Sequence, residues 1–178
     1  MTNPARPGPA SLAPFLARHG RGPSPALDAL CAQHDAHTTL LYWFTDLDAA
    51  IAEATRTGRP ILSLVLLGRL DQERSCANSR FFRRSLYVDP AINRTLRDRF
   101  VLHWRSLRPV PQVTIDFGDG RRLVKTLTGN SAHLVLAPTG RPIDVLPGLF
   151  TAAVFARLLD EALALAATDH AGRADHHR

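Results

Sequence analysis

Lysine occurs once in this chain, at Lys125, and cysteine only at Cys31 and Cys76. A pair of cysteines cannot staple a disulfide scaffold, so the composition points to a reducing compartment and a fold held by its own core. No run reaches the roughly 18 apolar residues of a membrane-spanning helix, which argues against a membrane partner. Residues 1–25, MTNPARPGPASLAPFLARHGRGPSP, have no continuous apolar stretch and are interrupted by six prolines. They do not read as a secretory signal, and the cytoplasm is the expected location. P-loop, nucleophile-elbow and dinucleotide-fingerprint motifs are missing as well, which sets aside the chemistries they carry. His34 and His37 are three residues apart, but no cysteine or carboxylate pattern completes a metal site around them. His170, His176 and His177 fall in a polar tail, so no metal is expected.

What is present is an ordinary soluble composition of 178 residues with a net charge of +6, nearly all of it from arginine. The length suits one domain with short extensions: residues 1–25 as a disordered or loosely packed N-terminal extension, 26–167 as the domain, and 168–178 as a polar, frayed tail. Basic charge can attract nucleic acid, but no aromatic-interleaved basic strand accompanies it, so that partner is not expected. Arginines 80, 83, 84, 94, 97, 99, 105 and 108 crowd one part of the chain. They read better as solvated helix faces than as one anion-binding patch.

Residues 26–36 place Leu27, Leu30, Cys31 and His34 at helical spacing, giving Cys31 a packing role. Thr45 followed by Asp48 matches a loose capping box for a helix with Leu47, Ala50, Ile51 and Ala54 on its apolar stripe, stopped by Gly58 and Pro60. ILSLVLL, 61–67, is a continuous apolar run, as in a central strand covered on both faces. Residues 76–87 predict a helix with Phe82, Leu86 and one of Phe81 or Ser85 inward. Asp89 as N-cap with Pro90 behind it opens another. A strand over 100–107, a hairpin turning at Gly118-Asp119-Gly120, and a strand pair turning at Pro138-Thr139-Gly140 come next. The last helix carries Val154, Leu158, Leu159, Ala162 and Leu165. His103 and His133 fall on strands as structural histidines. The alternation around a buried strand argues an α/β sandwich.

Three local sequences in this order carry a resemblance: WFTDLDAAIAEATRTGRPILSLVLL, VDPAINRTLRDRFVLHW and HLVLAPTGRPIDVLPGLFTAAVFARLL. Across residues 43–166 the chain resembles the thioredoxin superfamily. The resemblance implies a thioredoxin-like three-layer α/β sandwich, a mixed central sheet with helices on both faces. It also implies that Cys76 stands at the first active-site cysteine and Ser79 at the second, so CANS is a C-x-x-S variant. The chain departs from the family at Ser75, where tryptophan is usual, and at Ser131 (Asn130 or Ala132 in a shifted register), where the family keeps a cis-proline beside the thiol. Asn130 and Ser131 would line the opposite wall of the site.

A cysteine at a helix N-terminus meets unpaired N–H groups that favour thiolate, and Arg80 would add a nearby cation. Ser79 could donate a hydrogen bond to the sulfur. With serine there, a mixed disulfide on Cys76 has no resolving thiol in the motif, so a dithiol cycle is excluded. Two readings stay open. One is monothiol exchange or mixed-disulfide trapping with protein or small-molecule thiols and disulfides, glutathione among them as co-substrate and no resident cofactor. The alternative is a redox-inactive thioredoxin-fold module for protein interaction. An exposed Cys76 favours the first; a Cys76 buried under the preceding loop, 68–74, favours the second.

Overall fold

A computed structural model of the protein describes residues 7–175, with side chains described through residue 168. Its centre is β1, Ile61–Leu67, every residue of which is buried. Two flanking strands explain that burial. Strand β2, Val101–Arg108, runs parallel to β1 on one side, and β5, Ser131–Leu136, pairs antiparallel on the other. With β6, Pro142–Pro147, antiparallel to β5, the order of this mixed sheet is β2-β1-β5-β6.

Alternation along β1 divides two cores. Leu62, Leu64 and Leu66 face the larger one, with Phe82, Leu86 and Tyr87, with Ile92 and Leu96 of α5 (Pro90–Arg99), and with Phe155 and Leu159 of α6 (Ala152–Asp175). Ile61 faces the other, with Val101, Leu136, and Ala50 and Ala54 of α3 (Leu47–Thr57). Helices thus cover both faces of an α/β sandwich. Among the described residues no helix is long and apolar enough to cross a membrane.

The helix starts reflect local chemistry. Asp89 accepts from the Ala91 and Ile92 N–H groups with Pro90 behind it. Asp46, rather than Thr45, caps α3, its carboxylate accepting from Ala49 N at 2.8 Å. A charged cap on the positive helix end outcompetes the neighbouring hydroxyl. The register then leaves Leu47 exposed. Helix α2, Pro25–Cys31, ends sooner than the spacing predicts, because Ala32 turns left-handed at φ 49.

Helical turns occupy part of both terminal stretches. Within the expected loose extension, a 3₁₀ turn over Pro9–Ser11 leads into α1, Leu12–His19. Pro14 is tolerated because it sits in the first turn, where N–H groups have no helical partner. Leu12, Phe15 and Leu16 contact the Leu27, Cys31 and Ala36 cluster, though no residue of α1 is fully buried. Helix α6 continues to Asp175, through much of the expected frayed tail; His176 and His177 lie outside the described residues. Its buried stripe is Phe155, Leu159 and Ala162, while Val154 and Leu165 are exposed.

The predicted helix over 76–87 is composite. Helix α4, Ala77–Phe81, passes into a π-helical turn, Phe82–Leu86, closed by Tyr87 N donating to Phe82 O at 2.8 Å. A π turn inserts an extra residue and rotates the side chains beyond it. Phe82 and Leu86 remain inward and Phe81 is half-buried, but Arg83 turns inward too and is fully buried. This corrects the expectation of a solvated Arg83.

Strands β3, Gln112–Asp116, and β4, Arg122–Thr126, form a separate two-stranded ribbon inserted between β2 and β5. Its turn is the expected one: Gly118 and Gly120 have φ 76 and 89, and Asp116 accepts from Gly118 N.

Candidate functional site

The site begins where β1 ends. Gly68, at φ 72, turns the chain out of the sheet, and the loop returns at Ser75 to Cys76, the N-cap of α4. The Cys76 sulfur accepts from Ser79 N at 3.5 Å, the weak contact expected of a thiol cap. The side chain has no exposed surface and packs between Leu67 and Val110. Val110 belongs to the stem that leads from β2 into the ribbon.

That stem is fastened at several points. Gly68 N donates to Arg108 O at 2.8 Å, and Leu127 N to Pro111 O at 2.9 Å. The Thr126 hydroxyl donates to Ser75 O at 3.2 Å and accepts from Arg80 Nη1 at 2.7 Å. Arg80 Nη1 also donates to Ser75 O at 2.8 Å. Arg80 therefore serves the loop and the ribbon through these bonds rather than the sulfur. Ser79 differs from its expected role in the same way. Its hydroxyl bonds to that of Ser75 and lies 3.1 Å from Cys76 O. The contact to sulfur comes from its backbone N–H.

Behind this pair lies Arg83. Its Nη2 donates to Ser75 Oγ at 3.2 Å and Glu73 O at 3.4 Å, and its Nε to Ser79 O at 3.4 Å, while Nη1 has no hydrogen-bond partner. No carboxylate is within ion-pair distance among the described residues, and burial pushes its pKa down to about 10. Sequence reasoning missed this residue because only the π turn brings it inward. The group holds loop 73–76 onto the helix and leaves the sulfur without a polar side chain directed at it.

The entry to β5 lies against α4. Leu67 N donates to Asn130 O at 3.1 Å, and Asn78 Nδ2 donates to the buried Ser131 Oγ at 2.9 Å. Asn130 is exposed and contributes its backbone carbonyl here. Gly129 is close-packed: a Cβ there would stand 2.4 Å from Asn78 Oδ1 and 3.0 Å from Asn78 N. Gly129→Ala should displace Asn78 from Ser131 and destabilise by about 1–3 kcal/mol, the range for leaving a buried donor unmet. A urea denaturation midpoint unchanged from wild type would refute that reading.

Cys31 lies in the α2 cluster with Leu27 and Ala36, apart from the Cys76 cluster, and no disulfide joins the two. His133, two residues beyond Ser131, is fully buried and exchanges a 2.6 Å hydrogen bond with Tyr87 Oη. Burial pushes its pKa down to about 3 and holds the Tyr87 phenol well above its usual value. On the other core, His103 Nδ1 is 2.7 Å from Ser63 Oγ, and burial with the nearby Arg105 charge lowers its pKa to about 4. Among the described residues no three metal-ligating side chains converge. No family model matches the chain, and no curated protein matches it.

Proposed function

We propose that this protein is a thioredoxin-like domain that acts as a protein-interaction module, with Cys76 kept as a packing residue. The observation that carries this reading is the complete burial of Cys76 between Leu67 and the ribbon residue Val110. A thiolate must reach its disulfide to attack it, and a buried thiol in apolar contact is inert. The thioredoxin-like arrangement is supported by chain order. Cys76 caps the helix after the central strand, and the antiparallel pair β5–β6 leads into the last helix, as the resemblance implies.

Protein recognition is supported by the ribbon. Its register pairs Val113 with Lys125 and Ile115 with Leu123, so these four share one face. Val113, Ile115, Leu123 and the neighbouring Phe117 are all exposed. Two strands alone are marginally stable in water, and an apolar patch on such an element is characteristic of a binding surface.

The second reading, monothiol exchange with thiols such as glutathione, draws on the Ser79 N–H directed at the sulfur. It requires the ribbon stem to lift from Cys76. Alkylation by iodoacetamide, monitored at each cysteine by mass spectrometry, separates the two. The module reading expects Cys76 and Cys31 to react together, and only as the whole domain unfolds. Reaction of Cys76 in the native protein, with a midpoint below that of an ordinary thiol, would replace it with the exchange reading.

A further inference from the structure

A groove of about 340 Å³ runs between α1 and the body of the domain. Its walls are apolar: Leu12 and Leu16 of α1, Leu40 and Tyr42 beyond α2, and Leu96 and Phe100 at α5. Helix α1 brings Leu12, Phe15 and Leu16 to the protein, yet none becomes fully buried. The helix therefore roofs an apolar surface without filling the space beneath it. A largely apolar cleft of this volume lies at the small end of the range for small-molecule sites.

The polar part of the lining has a definite sign. Three arginines, Arg21, Arg59 and Arg97, face one acid, Glu53. Glu53 is held bidentately by Arg56, at 2.9 and 2.8 Å. Arg59 lies farther from it, at 3.7 Å, and donates instead to the Arg97 carbonyl at 3.2 Å. Arg97 is paired with Asp98. Arg21 has no ion partner among the described residues. Arg59, whose side chain is 29% exposed, thus lines the groove with a long ion pair to Glu53 and no hydrogen bond to a carboxylate among the described residues.

We propose that the groove binds a medium-chain carboxylate amphiphile, a free fatty acid in chemical class, with its chain along Leu12, Leu16, Tyr42 and Phe100 and its carboxylate on Arg59 and Arg21. The volume suits a single short chain. The charge selects an anionic head, since guanidinium matches a carboxylate in geometry as well as in sign.

Decanoate below its micellar concentration is the probe, titrated calorimetrically into the full-length protein, with decyltrimethylammonium as the same chain carrying the opposite charge. One decanoate should bind per protein and the cation at least about tenfold more weakly, as expected for loss of a charge-assisted bond. Arg59→Ala should weaken decanoate by a similar factor and leave the cation unchanged. Ala13 is exposed on α1 and lines the groove, so Ala13→Trp should fill it and abolish binding with little risk to the fold. Equal binding of the two probes, no binding of either, or unchanged affinity in Ala13→Trp each overturns the proposal.

Discussion

Taking the pH from 7 down to 5 should remove several kcal/mol of stability, with most of the loss traceable to two histidines. His133 is enclosed by Phe82, Tyr87 and Phe155 and has a pKa near 3; His103, beneath α3, has one near 4. Both ionise near 6.5 once the chain is unfolded. Between about 6.5 and the folded values, the unfolded chain therefore binds more protons, and stability rises with pH. The contribution is fully present above about 6.5 and is lost as the pH falls. With both sites protonated only in the unfolded chain, the slope approaches about 3 kcal/mol per pH unit, and His133 alone contributes at most roughly 5 kcal/mol. Set against a typical net stability of about 5–15 kcal/mol, the loss by pH 5 is a substantial share of the total.

Urea denaturation at pH 7, 6 and 5 measures that slope. The double variant His133→Phe with Tyr87→Phe removes both ends of the 2.6 Å bond and keeps ring-sized packing. Its slope should be about half that of the wild type, reflecting one proton in place of two. Stability independent of pH between 7 and 5 would contradict the account.

The second large effect concerns Phe82. It is fully buried at the start of the π turn, stacked on Tyr87 with centroids 5.5 Å apart and edge-on to His133 at 4.9 Å. Its ring meets Phe81 and Tyr87 at the two ends of the π turn and His133 of β5. Phe82→Ala removes the pairings with Tyr87 and His133 and leaves a ring-sized space in the larger core. The expected loss is about 3–5 kcal/mol, toward the upper part of that range because two aromatic pairings are lost with the cavity. Phe82→Leu, which keeps part of the volume, should lose distinctly less. A loss below about 1 kcal/mol for the alanine variant, read from the guanidinium unfolding midpoint, would show that the core relaxes around the gap.

Much of the fold was legible because its signals are local. ILSLVLL marks a buried strand by composition alone, and Asp89-Pro90 and Gly118-Asp119-Gly120 mark a helix start and a turn by backbone chemistry. The misreadings arise where neighbours compete or where tertiary contacts decide. Thr45 and Asp46 are both good caps, and the charge on Asp46 prevailed. Prolines in residues 1–25 argued against a helix, although Leu12, Phe15 and Leu16 already had helical spacing. Position was legible at the candidate site as well: Cys76 does cap a helix, and Ser131 does stand across from α4. Environment was not. Nothing local to CANS indicates that Val110, more than thirty residues away in sequence, covers the thiol. Nothing in RFFRR indicates that one arginine will turn inward, since that depends on a single extra residue in one helical turn.

The order of the sheet also bears on how the protein is made. Strand β1 takes its first neighbour from residues 101–108 and its second from 131–136. A chain emerging from the ribosome at about 5–20 residues per second leaves the second edge of β1 without its partner for on the order of seconds. During that interval the most apolar heptapeptide of the protein presents an open row of backbone donors and acceptors, the configuration most prone to pairing with another chain. The ribbon is synthesised within the same interval, so the inserted segment that later covers Cys76 also lengthens the exposure of the central strand.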